Sequence, residues 1–139
     1  MTALLDVNVL IALGWPNHVH HAAARHWFSR SSSRGWATTP ITEVGFVRIS
    51  SNRRVMQVST NPSTAIAMLE SLTALPGHTF WADDVPLVVD TDGDRDGVSS
   101  HRQVTDAHLV ALVVRQGGVL VTFDGALADS APAGLVQLL

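Results

Sequence analysis

The segment Ala3-Leu4-Leu5-Asp6-Val7-Asn8-Val9-Leu10-Ile11 constrains the fold more than any other. Ala3-Leu4-Leu5 is wholly apolar, the pattern of a strand covered on both faces in a parallel sheet. Asp6 follows at once. A carboxylate taken out of water without a partner costs several kcal/mol or more on the order of whole-domain stability. Asp6 therefore lies just past the strand end at the surface, or something positive compensates it; a divalent metal is the expected compensation.

The rest of the chain repeats the same alternation. Trp36-Ala37-Thr38, His78 to Trp81, Pro86 to Val89 and Val119 to Thr122 read as short strands, and Gly134 to Leu139 as an edge strand. Between them come helical patterns. One starts straight after Asp6 and stops near Gly14 and Pro16. A second starts at Asn17 or His18, and a third is opened by Thr39-Pro40. Asn61-Pro62 caps a fourth, whose Ile66, Leu69 and Leu72 recur at helical spacing. A fifth spans Gln103 to Gln116; its run Leu109 to Val114 is apolar nearly all round and is expected to be buried. Asn52 to Thr60 and Asp90 to Ser100 read as loops. Short strands alternating with helices predict an α/β fold, a three-layer α/β/α sandwich with a central mainly parallel sheet. The 139 residues form one domain, 1–139, with no repeat and no linker.

Composition narrows the function classes. Only 15% of residues are charged and 46% are hydrophobic, so the chain is globular and not disordered. No apolar run reaches the ~18 residues of a membrane span, and no basic leader precedes the first strand. The absence of Cys excludes thiolate chemistry and fits a cytoplasmic location. A net charge of −3 argues mildly against non-specific nucleic-acid binding. All nine basic residues are Arg, which suits phosphate and base contacts, although a coding bias is the plainer reading.

Four carboxylates stand out by position. Asp6 follows the first strand, Glu43 lies in the first turns of the helix after the second, Asp106 near the start of the fifth helix, and Asp124 after Val119 to Thr122. Ligands of open parallel sheets bind beyond the carboxyl ends of the strands. Singly, each acid has a plainer explanation: a residue favoured by the helix dipole, or a turn at Asp124-Gly125. Together they would repel one another unless cations neutralise them. Oxygen ligands of this kind suit Mg²⁺ or Mn²⁺.

These motifs carry a resemblance. Leu4-Leu5-Asp6-Val7-Asn8-Val9-Leu10, then Thr42-Glu43, then Val104-Thr105-Asp106-Ala107-His108-Leu109, then Thr122-Phe123-Asp124 arrive in the order seen in PIN-domain ribonucleases. Within these the chain resembles the VapC-type toxins of bacterial toxin–antitoxin pairs, over nearly its whole length. The resemblance implies an Mg²⁺- or Mn²⁺-dependent endoribonuclease, with Asp6, Glu43, Asp106 and Asp124 as catalytic metal ligands and Asn8 and Thr122 in support. It implies attack by an activated water on a phosphodiester, leaving 5′-phosphate and 3′-hydroxyl ends. It also implies structured RNA such as tRNA or rRNA as substrate, a cognate antitoxin as partner, and a homodimer. The alternatives are a non-catalytic PIN-fold interaction module and a PIN-family DNA nuclease; the small size weighs against the second.

Other signals are weaker. His101, Arg102, Arg53 and Arg54 are candidates for substrate contact. Asp92-x-Asp94-x-Asp96-Gly97 matches half of a calcium loop, but its twelfth position is Gln103 and not Glu. His18, His20 and His21 read as surface histidines at a helix start, with RNA contact at a cleft rim as the other reading. His108 reads as an ordinary helix residue. Trp15, Trp27, Trp36 and Trp81 read as core or interface residues.

Overall fold

The computed structural model describes residues 1–56, 60–87, 98 and 100–139. Its centre is a five-stranded sheet in the order β3-β2-β1-β4-β5, with every neighbouring pair parallel. The strands are β1 (Ala3–Leu5), β2 (Trp36–Thr38), β3 (His78–Phe80), β4 (Val119–Thr122) and β5 (Val136–Leu138). Alternation along β1 shows why it must sit in the middle. Ala3 and Leu5 enter one apolar cluster with Val9, Leu10, Phe46 and Leu69, whereas Leu4 enters another with Leu109, Leu112, Leu120 and Leu127. Both faces of the sheet are covered by helices, so the chain is the three-layer α/β/α sandwich expected.

The first cluster is built by α1 (Val7–Gly14), α2 (His21–Ser31), α3 (Pro40–Ser50) and α5 (Pro62–Thr73); the second is covered by α6 (Val104–Gln116) and α7 (Gly125–Ser130). Local chemistry sets most helix ends. Asp6 caps α1 by accepting from Val7 N–H, and Asn61 caps α5 by accepting from Thr64 N–H. Thr39 and Thr42 form a reciprocal cap on α3, with Pro40 in its first turn. Gly117 ends α6 in the left-handed region at φ 66°.

Five details depart from the sequence reading. The second helix starts at His21, not Asn17 or His18, because the His18 ring takes the amide of His20 at 3.0 Å and holds residues 17–20 in turns. Asn52, read as loop, instead starts the one-turn α4 (Arg53–Met56), its side chain accepting from Arg54 N–H. Helix α7 is a six-residue element too short to show a period. The run Leu109 to Val114 is not buried all round: Leu109, Leu112 and Val113 are buried, but Val114 is 58% exposed on the outer side. Pro86 and Leu87 are not in a strand; Val88 and Val89, and the calcium-like Asp92 to Gly97 stretch, lie outside the described residues.

Candidate active site

Parallel strands deliver their last residues to one edge, and this edge collects the polar side chains. Asp6 follows β1 and is nearly buried. Its Oδ1 accepts from Val7 N–H at 2.7 Å and its Oδ2 from the Thr122 hydroxyl, also at 2.7 Å. Thr122, fully buried as the last residue of β4, accepts in turn from the Asn8 amide at 3.1 Å and from Asp124 N–H at 3.0 Å. The Asn8 oxygen takes Phe123 N–H at 3.1 Å. Asn8 and Thr122 thus tie the start of α1 to the end of β4. Asp124 caps α7 through Oδ1, which accepts from Leu127 N–H at 3.1 Å.

A cleft of about 780 Å³ opens over this edge. Its walls include Asp6, Asn8, Asp106 and Asp124, with Asn17, His18 and Arg102 beside them; Val7, Ile11, Val19, Ile49, Val55 and Met56 supply apolar surface. A second hollow of about 520 Å³, between α2 and β5, is lined by no Asp or Glu.

The three aspartates of the cleft have no ion-pair partner among the described residues. Burial pushes the Asp6 carboxyl above its ordinary value; hydrogen bonds from Thr122 and Val7 act against this, and the charge of Asp124 adds to it. Asp106 is also raised, first by burial and then by the charges of Asp6 and Asp124. Each acid makes its neighbours harder to ionise.

Glu43 is not among the residues lining the cleft. It lies in the first turn of α3, where Oε1 accepts from the Thr38 hydroxyl at 2.7 Å at the end of β2. A Cβ on Gly45 would come within 2.7 Å of the Val7 side chain, so the missing side chain lets α3 seat against the residue after Asp6. Glu43 therefore belongs to the same strand edge, one strand along from Asp6.

Among the substrate-contact candidates, Arg102 lines the cleft, while His101 stands exposed beside it in the same 3₁₀ turn. Arg53 and Arg54 are exposed on α4; the following Val55 and Met56 are the ones that reach the cleft. The histidine cluster divides by role. His18 lines the cleft and is pushed down by burial, then by His20 and His21. His20 stacks on Phe123 with ring centroids 4.6 Å apart, and the His21 ring donates to the Ala12 carbonyl at 2.7 Å near the end of α1. His108 is no general base at the site: it is buried, and its Nε2 meets both oxygens of Asp83 at 2.8 Å. Trp36 is wholly buried and Trp81 nearly so; Trp15 and Trp27 pack against the core from its edge.

Could this edge hold a divalent cation? Among the described residues, no three Asp, Glu or His side chains stand close enough to form a ready-made cage. The donors nevertheless fit an ion that binds through one or two carboxylates and keeps several waters, as Mg²⁺ does. Asp106 has no hydrogen-bond partner among the described residues, and the mutual repulsion of the acids is the kind a cation relieves.

Comparison with known proteins places the chain in a family. The PIN domain family model matches residues 3–131. The chain is 74% identical to Ribonuclease VapC39 of Mycobacterium tuberculosis over 139 residues, covering all of both chains. It is 49% identical to Ribonuclease VapC38 of the same organism, over 99% of this chain and 97% of the relative. Among solved structures, VapBC2 from Rickettsia felis bound to a DNA fragment from its promoter aligns with TM-score 0.67 at 10% identity, over 99% of this chain and 98% of that one. VapC20 of Mycobacterium tuberculosis, described as a sarcin-ricin loop cleaving toxin, aligns with TM-score 0.67 at 14% identity, over 98% of each chain. The chain belongs to the PIN-domain family and, within it, to the VapC-type ribonuclease toxins.

Proposed function

We propose that this protein is a Mg²⁺- or Mn²⁺-dependent endoribonuclease, the toxin of a toxin–antitoxin pair. One observation carries the reading: Asp6, Asp106 and Asp124 share a cleft at the carboxyl ends of the central strands, sense one another's charge, and have no cationic partner among the described residues. In this reading one or two of these carboxylates would hold the ion directly and the rest through its waters, with Glu43 extending the acidic edge beside them. When bound, the ion supplies water activation and charge neutralisation at a phosphodiester.

The chain's own groups do the rest. Thr122 and Val7 N–H fix the rotamer of Asp6. Asn8 ties Asp6's helix to the strand that carries Asp124. Arg102 offers a guanidinium at the cleft for a backbone phosphate, and His18 offers a ring for a nucleotide contact. Ile49, Val55 and Met56 give the cleft apolar surface on one side.

The relatives' names as ribonucleases support RNA as substrate, and we assign structured tRNA or rRNA. The VapBC2 complex supports an antitoxin as partner. A homodimer, which the resemblance implies, is part of the proposal. None of the described helices is long and apolar enough to cross a membrane; a cytoplasmic location is part of the proposal.

The test is cleavage of total RNA, duplex DNA and branched DNA by purified protein with Mn²⁺ or with EDTA. RNA cleavage that EDTA abolishes is expected. Cleavage of DNA alone, or cleavage that survives EDTA, contradicts the proposal.

A further inference from the structure

Thr38 is fully buried at the end of β2, yet its hydroxyl has two polar partners: Glu43 Oε1 at 2.7 Å and His78 Nε2 at 2.8 Å. A hydroxyl has one proton to give. A carboxylate can only accept, so the proton goes to Glu43 and the Thr38 oxygen takes an N–H from His78. The relay has one direction, from His78 Nε2–H to Thr38 Oγ1–H to Glu43 Oε1, and it fixes the His78 tautomer.

Both ends of the relay are anchored. His78 sits beside Trp36 in the β2–β3 register, and the two rings pack with centroids 4.7 Å apart. Trp36 is itself wholly buried and donates its indole N–H to the Pro76 carbonyl at 3.1 Å. At the other end, the Thr39 hydroxyl donates to the Trp81 carbonyl at 2.9 Å and so pins the start of the helix that carries Glu43. Glu43 Oε2 has no hydrogen-bond partner among the described residues.

We infer that Thr38 and His78 are positioning residues that hold Glu43 Oε1 and leave Oε2 available to the cation edge. This rests on the proposed reading of Glu43 as a site acid. Partners of this kind orient ligating carboxylates, and their loss typically weakens metal affinity or activity by about 10–100-fold.

Four variants of the full chain test it: T38V, which keeps the shape without the hydroxyl; T38S, which restores the hydroxyl; H78F, which keeps a ring against Trp36 without the donor; and H78Q, which restores a donor. E43Q is the reference. The readouts are Mn²⁺ affinity by calorimetry, the melting temperature in EDTA, and RNA cleavage. T38V and H78F are expected to weaken Mn²⁺ binding by about 10-fold or more, with T38S and H78Q recovering most of it. Wild-type Mn²⁺ binding in T38V and H78F alongside an impaired E43Q overturns the positioning role. So do losses that T38S and H78Q share equally, or that simply follow the melting temperature. An E43Q protein that binds Mn²⁺ and cleaves as wild type overturns the reading of Glu43 itself.

Discussion

Two groups of aspartates serve opposite purposes in this molecule. Asp83 and Asp84, just past β3, each have a side-chain partner on α6: Asp83 meets the His108 ring, and Asp84 accepts from Arg115 at 3.3 Å. Asp6, Asp106 and Asp124, at the cleft, have one another. The first group ties a helix to the segment that follows the edge strand β3. The second stores repulsion at the centre of the sheet. Among the described aspartates, the ion-paired ones tie elements together, and the unpaired ones at the cleft are those the proposal assigns to the cation.

The largest effect that can break this comparison is on chemistry. D106N removes a cleft acid with no protein hydrogen bond to lose, so RNA cleavage with Mn²⁺ is expected to fall by more than the ~10–100-fold typical of outer-shell losses, while the fold survives. Gel-based cleavage together with circular dichroism checks both halves. D83A should do the reverse. It strands a buried His108, at a cost of about 1–3 kcal/mol read by urea or thermal unfolding, and leaves cleavage by the folded protein unchanged.

A smaller effect follows from the raised carboxyl of Asp106. A group whose folded value lies above its unfolded one contributes stability that is fully present below the unfolded value. That stability is lost as pH rises through the folded value. The ordinary value is 3.8, so at neutral pH the metal-free protein carries the cost of ionising Asp106. Melts in EDTA should show D106N slightly more stable than wild type at pH 7, on the order of a degree or two, with the gap closing as pH falls toward 3.8. A D106N protein less stable at pH 7 would place Asp106 with the structural acids. The smallest effect belongs to D84A. That pair is 63% and 48% exposed, so its loss should change stability by only about 0–1 kcal/mol.

The sheet and the three cleft aspartates were legible because their signals are local. An apolar triplet followed by an acid reads as a strand end at Asp6, Val119 to Thr122 leads into Asp124 in a looser form, and Asp106 falls near the start of a largely apolar helix. Pairing across the fold was not legible. Nothing in the sequence joins His108 to Asp83, or His78 to Glu43 through Thr38, since these partners come from separate elements that only the sheet order brings together. The apolar run in α6 misled for a related reason. Composition says that a segment is apolar, but which of its sides meets the sheet is set by the helical turn, and Val114 falls outside. His18 reached the cleft because its ring holds its own turn open, a local bond that spacing alone does not reveal.

A cation site shared by Asp6, Asp106 and Asp124 must show in metal binding itself. Calorimetric titration of Mn²⁺ into the metal-free wild type, D106N and D83A tests it most directly. Saturable binding is expected from wild type and D83A alike, and binding more than about 10-fold weaker from D106N. Indistinguishable isotherms for wild type and D106N, or no binding by the wild type, would contradict it.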